Sequence, residues 1–322
     1  EFESDGKQTS VHILKANFTD YYNDDDDAAI RIKDCEFEGN GTYFYQCVSK
    51  KSGGAIYISN TKNHENNTIN LCYCQFIYCK ADYGGAAYIN SAYEENSVLI
   101  LGCLFYGNEE SAKKSQSVGD YYGGSAVFLL ALQTEIIEMK FEKSKGQGGS
   151  VKIISLENKN LLEENQNVIS FSNCQFENDD EEKEDETNSN AIFYVGNKKG
   201  GVIVDVNNCK FKGKLNKGNH YIDGKLSTNN SPIFHIKSCK FEYDIDDSIN
   251  KDLIIDSSSI EIINKIPNKG NLRKYIFVFF LSMSTILIIL IKMKKMNDKH
   301  EIMNEEDIAF VDNIGERPNM SL

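Results

Sequence analysis

Ile69-Asn70-Leu71-Cys72-Tyr73-Cys74-Gln75-Phe76 and Val98-Leu99-Ile100-Leu101-Gly102-Cys103-Leu104-Phe105 carry one pattern: apolar, any, apolar, any, any, small or Cys, any, Phe. Residues two apart on a strand share a face, so each segment holds two inward pairs. The three-residue step between the pairs switches parity. A parity switch that keeps both pairs inward requires a corner, and each segment reads as two short strands meeting at a bend.

Outward from these two, the pattern recurs at Val11, Ile13, Ala16, Phe18; at Ile30, Ile32, Cys35, Phe37; and at Thr134, Ile136, Met139, Phe141. It continues at Ile169, Phe171, Cys174, Phe176; at Val204, Val206, Cys209, Phe211; at Phe234, Ile236, Cys239, Phe241; and last at Leu253, Ile255, Ser258, Ile260, which makes nine copies. Stacking them buries one column of apolar side chains. The expected core ladder is Phe18, Phe37, Phe76, Phe105, Phe141, Phe176, Phe211 and Phe241, with Cys35, Cys74, Cys103, Cys174, Cys209 and Cys239 at the bend.

Between copies stands Gly-Gly followed by small and apolar residues, at Gly53-Gly54-Ala55-Ile56, Gly84-Gly85-Ala86-Ala87, Gly123-Gly124-Ser125-Ala126 and Gly148-Gly149-Ser150-Val151. The alternation after each pair predicts a third strand. Spacing between Phe anchors runs from 19 residues, Phe18 to Phe37, to 39, Phe37 to Phe76, so the excess over a bare coil must leave as surface loops. The fold class expected is all-β: a right-handed parallel β-helix of about nine coils over residues 1–264, a rod on the order of 40 Å long at ~4.8 Å per coil.

The composition agrees. The chain of 322 residues has 3 Pro and no Trp against 17 Tyr and 18 Phe, a balance suited to strands. Its formal net charge of -13 argues against nucleic acid as a partner. It opens at Glu1 without a basic stretch and apolar run, so any leader peptide is expected to be already gone. Tyr275 to Ile291 holds 17 residues without charge, flanked by Arg273, Lys274, Lys292, Lys294 and Lys295. That run predicts a single transmembrane helix over 275–291, after a basic linker at 265–274 and before a cytoplasmic tail at 292–322. All nine Cys and the sequons at Asn17, Asn40, Asn66 and Asn229 precede it. They place the N-terminal side outside a plasma membrane and make those four Asn the glycosylation candidates.

Gly53-Gly54-Ala55-Ile56, with Phe-x-x-Asn at Phe37 to Asn40 and at Phe105 to Asn108, resembles the two short repeats of the polymorphic outer membrane protein family of chlamydial surface autotransporters. Similar repeats occur in surface proteins of trichomonad parasites. The resemblance covers roughly residues 10 to 260. It implies a β-helical passenger exposed at a cell surface, with adhesion to host cells, matrix or glycans as its function. The bacterial members carry a C-terminal membrane barrel where this chain has one apolar segment, which makes the trichomonad type the nearer likeness.

No catalytic constellation stands out. The acidic runs Asp24 to Asp27 and Asp179 to Glu186 lack the Asp/Asn alternation and glycine of a calcium loop and read as solvated loops. His12, His64, His220, His235 and His300 are scattered, and Arg31, the one Arg before the membrane flank, falls on an outward position between two core residues. No catalytic, cofactor-binding or metal-binding residue is assigned. A carbohydrate-active β-helix enzyme, either lyase or glycoside hydrolase, is the alternative function. The ladder cysteines share their slot with Ala16, Met139 and Ser258, which predicts free, inward-packed thiols for most of them. Cys47, Cys72 and Cys79 lie off the ladder, and Cys72 with Cys79 is the nearest pair for a local bridge.

Overall fold

The computed structural model describes residues 1–262, except for the segments 5–8, 24–27, 61–66, 92–95, 112–122, 147–148, 155–166, 179–190, 197–201, 214–219, 227–232, 244–247, 251–252 and residue 259. The chain divides into Glu1–Lys265 and Ile266–Leu322. The second unit, with the apolar run at 275–291 and the tail, lies outside the described residues. Among the described residues no helix is long and apolar enough to cross a membrane.

The first unit is all-β, with parallel strands in stacked sheets, an arrangement that fits a β-helical solenoid. One coil shows the plan. Ile56–Asn60 runs in the first sheet, Thr68–Cys72 in the second, Gln75–Ile77 in the third and Lys80–Ala81 in the fourth. The chain then returns to the first sheet at Ala87–Ser91. Each strand pairs in parallel with its counterparts in the coils before and after, as Ile69 does with Phe37 and with Val98. The described strands form sheets of eight, nine and nine members, with a fourth sheet of four confined to the first four coils.

The bend between the second and third strands is made by one residue in the left-handed region. Lys15, Gly41, Tyr73, Gly102, Glu138, Asn173, Asn208 and Ser238 form this column, with φ between 51° and 62°. A single left-handed residue reverses the parity of the strand, which is how the three-residue step keeps both pairs inward. Asp20, Gln46, Tyr78, Gly107 and Lys143 do the same at the next corner, with φ from 51° to 61°.

The Gly-Gly pair works by close approach as well as by angle. Gly53 has φ 61°, and a Cβ there would lie 2.0 Å from the Ile56 carbonyl oxygen. At Gly54 a Cβ would lie 2.5 Å from the carbonyl oxygens of both Cys47 and Gly85. No side chain fits between backbones that close, so glycine is required on both counts.

The core is a column of stacked rings. Phe18, Phe44, Phe76, Phe105, Phe141, Phe176, Phe211 and Phe241 follow one another with centroids 4.5 to 5.2 Å apart and planes within 14° of parallel. Each contact adds roughly 0.5–1.5 kcal/mol beyond the burial of its area.

Two of the nine copies read from the sequence are out of register. Phe37 is absent from the ring column and lies in the second sheet, opposite Val11 and Ile69. Ile30 and Ile32 belong to the first sheet, opposite Ile56 and Ile58, and Cys35 lies just after that strand rather than at the bend. The true copy in this coil is Phe37, Gly39, Thr42, Phe44, in which Gly39 and Thr42 replace the expected apolar residue and cysteine. Gly39 makes room for its large neighbour, since a Cβ there would lie 3.2 Å from the Phe37 ring and 3.1 Å from Leu71. The last copy shifts by two residues, so that Ile260 and Ile262 follow Cys239 and Phe241 in place of Ser258 and Ile260.

Candidate functional site

The bend carries a ladder of Cys74, Cys103, Cys174, Cys209 and Cys239, buried and free, with Thr42 and Met139 in the same slot. Each ladder thiol donates to backbone carbonyls. Cys74 reaches Cys72 O at 3.4 Å and Gly39 O at 3.5 Å, and Cys103 reaches Leu101 O and Leu71 O, both at 3.4 Å. Thr42 makes the same pair, to Asn40 O at 3.5 Å and Ile13 O at 3.3 Å. Where the slot holds Cys or Thr, its weak donor meets two carbonyls near the bend, whereas Met139 fills the same slot without a donor. Burial pushes the Cys103 thiol well above its ordinary range, and does the same to Cys79 at the next corner. Such thiols stay protonated and poorly nucleophilic near neutral pH.

The expected local bridge is absent. Cys72 and Cys79 are both free thiols, with the whole third strand and two corners between them. Nor are the two Phe-x-x-Asn motifs equivalent. Asn108 is buried, accepting from Cys79 N at 2.9 Å and donating to Phe76 O at 3.0 Å, whereas Asn40 ends an outer strand position of the second sheet. Of the glycosylation candidates, Asn17 is exposed on the third sheet and Asn40 half-buried, while Asn66 and Asn229 lie outside the described residues.

Two surface grooves bring polar side chains together. The first, of about 410 Å³, crosses the outer face of the second sheet and is lined by Asn70, Ser97, Leu99, Gln133, Glu135 and Ser170. Among the described residues it contains one carboxylate, that of Glu135. The second, of about 550 Å³, follows the corner between the third and fourth sheets through the first four coils. One wall is the left-handed column Asp20, Gln46, Tyr78 and Gly107, and the other is the fourth-sheet column Tyr22, Val48, Lys80 and Glu109.

Tyr78 is the best-placed side chain in this groove. A Cβ on Gly107 would lie 2.5 Å from two carbons of the Tyr78 ring, so only glycine lets that ring lie along the next coil. Its ring plane stands at 81° to the rings of Tyr45 and Tyr106, with centroids 6.1 and 5.4 Å away, and 46% of the residue stays exposed. A hydrogen bond with Tyr106 raises the Tyr78 phenol above its ordinary value. Beside it Lys80 Nζ meets Glu109 Oε1 at 2.7 Å.

Elsewhere the outer faces carry isolated pairs, His12 with Glu38 and His235 with Asp205, each at 2.8 Å. Arg31 faces outward as the sequence implied, its guanidinium 4.9 Å above the Tyr57 ring. Tyr57, Tyr88 and Phe128 continue that column as stacked rings outside the first sheet. Among the described residues no three His, Cys, Asp or Glu side chains are grouped to hold a metal ion. Compared with known proteins, the chain matches no family model, no curated protein and no solved structure.

Proposed function

We propose that this chain is a non-enzymatic surface protein, related to the polymorphic outer membrane proteins of the trichomonad type, that displays loops and grooves from a β-helical rod for adhesion to host cells, matrix or glycans. The right-handed sense follows from the near-universal hand of parallel strand connections. In this reading residues 275–291 span the plasma membrane as a helix, 265–274 link it to the ectodomain and 292–322 lie in the cytoplasm. The carrying observation is the in-register ring column from Phe18 to Phe241. An invariant interior with outer columns that change residue type from coil to coil is the arrangement a display scaffold needs. The test is binding of the fragment 1–264 to cultured epithelial cells, to matrix-coated surfaces and to a glycan array. Binding to at least one is expected, and failure on all three sinks the adhesive role.

One observation favours the alternative of a carbohydrate-active enzyme: Asp20, Lys80 and Glu109 share a groove. Register places Asp20 and Glu109 three coils apart, roughly 14 Å at ~4.8 Å per coil. An inverting glycosidase holds its carboxylates about 6.5–9.5 Å apart and a retaining one about 5–5.5 Å. The spacing suits contact with several sugar units better than attack on one bond. New reducing ends released from soluble glucans would establish the enzyme.

A further inference from the structure

We propose that the corner groove lined by Asp20, Tyr22, Gln46, Tyr78, Lys80 and Glu109 binds a neutral oligosaccharide lying along the coil axis, with the Tyr78 ring as its platform. This rests on the surface-display reading and specifies its ligand. A pyranose presents a face of C–H bonds and a rim of hydroxyls. The electron-rich face of an aromatic ring takes the first, and amides, carboxylates and ammonium groups take the second. The groove offers both. One edge of the Tyr78 ring passes beside Gly107, where a side chain would block it, and Tyr22 is 68% exposed on the opposite wall. Gln46, Asp20, Lys80 and Glu109 stand around them at coil intervals.

The composition of the walls decides between ligand classes. Among the described residues Val48 is the only aliphatic side chain in the lining, too little to hold an apolar peptide face. Lys80 and Glu109 neutralise each other at 2.7 Å, which leaves the Asp20 carboxylate. The chain carries a net charge of -13, which disfavours sulfated or uronic polyanions as ligands. A length of four coils, about 14 Å between first and last, accommodates a short run of sugars. Tyr45 and Tyr106 also flank the ring before any ligand arrives, each plane at 81° to it, so little side-chain freedom is lost on binding.

The test is electrophoresis of the full chain, in mild detergent, through native gels containing soluble glucomannan, galactomannan, mixed-linkage glucan or heparin. Retardation by at least one neutral polysaccharide and none by heparin is expected. Tyr78→Ala should weaken that retardation roughly tenfold, the loss of one stacking contact. Tyr78→Phe, which keeps the ring, should migrate as the unmodified chain does. Because Tyr78 is half-exposed, both variants should keep the far-ultraviolet dichroism of the parent. Passage through all neutral gels without retardation overturns the proposal, and so does Tyr78→Ala binding as tightly as the parent. Cell binding is measured on the same proteins. If the unmodified chain adheres to cells but binds no polysaccharide, the groove assignment fails and surface adhesion stands; loss of both functions in the unmodified chain removes both.

Discussion

Phe176 and Phe211 lie face to face, centroids 5.0 Å apart and ring planes 1° from parallel, although one belongs to the sixth coil and the other to the seventh. Phe176→Ala removes contacts above and below at once and leaves a cavity in the middle of the column. The expected loss is about 3–5 kcal/mol by urea denaturation. A loss under about 1 kcal/mol would mean that the column contributes little to the fold.

Glycines that sit close to backbone should differ from those close to side chains. Gly54→Ala forces a methyl group to 2.5 Å from two carbonyl oxygens and should prevent accumulation of folded protein. Gly39→Ala meets only the Phe37 and Leu71 side chains, at 3.1 to 3.3 Å, which can shift. Its cost should be about 1–3 kcal/mol, the range for mild overpacking, with folded protein still recovered. Equal yields from the two variants would contradict the proximity argument.

Free thiols make a prediction for mass spectrometry. Alkylation of the denatured, unreduced chain should label Cys74, Cys103, Cys174, Cys209 and Cys239, and also Cys72 and Cys79. In the native chain Cys72, the one cysteine not buried, should react first. Peptides joining neighbouring ladder cysteines would show instead that the coils are covalently stapled.

Stability should fall at alkaline pH. Burial raises the Tyr88 phenol from 10.0 to about 12 and pushes the Tyr221 phenol up as well. The unfolded chain releases these protons near the ordinary values while the folded chain retains them. Their contribution is therefore complete below about pH 9 and is lost as pH rises through the folded values. A urea midpoint that stays level up to about pH 9 and then declines is expected. A midpoint that rises between about pH 9 and 10.5 would refute the linkage.

Membrane topology is open to a direct test. Proteases added to intact cells should remove a tag at Glu1 and spare one at Leu322. The reverse result would invert the proposed orientation.

The coil was legible from sequence because its bend demands a fixed three-residue step and its core demands a ring, so Phe76, Phe105, Phe141, Phe176, Phe211 and Phe241 stand at constant offset from a small or sulfur-bearing residue. The second coil was misread because Gly39 and Thr42 break the residue types while preserving the geometry. Uneven spacing was the available signal: placing the ring at Phe44 replaces the intervals of 19 and 39 by 26 and 32. The corner groove left no comparable trace. Asp20, Gln46, Tyr78 and Gly107 share a backbone conformation but no residue type, and they meet only once the register of four coils is known. The glycine beside the Tyr78 ring looks in the sequence like any other turn residue.

The parallel pairing of every coil with its neighbours makes length an adjustable property of this molecule. Residues at equivalent points, such as Glu142 and Glu177, occupy the same position one turn apart. Excising the turn between them would reconnect the chain without disturbing strand partners elsewhere, because each turn answers only to the two it touches. The converse holds for duplication. Recombination at such points can lengthen or shorten the scaffold while Asp20 to Glu109, in the first four turns, keep their places. Reach and recognition can therefore change independently of each other.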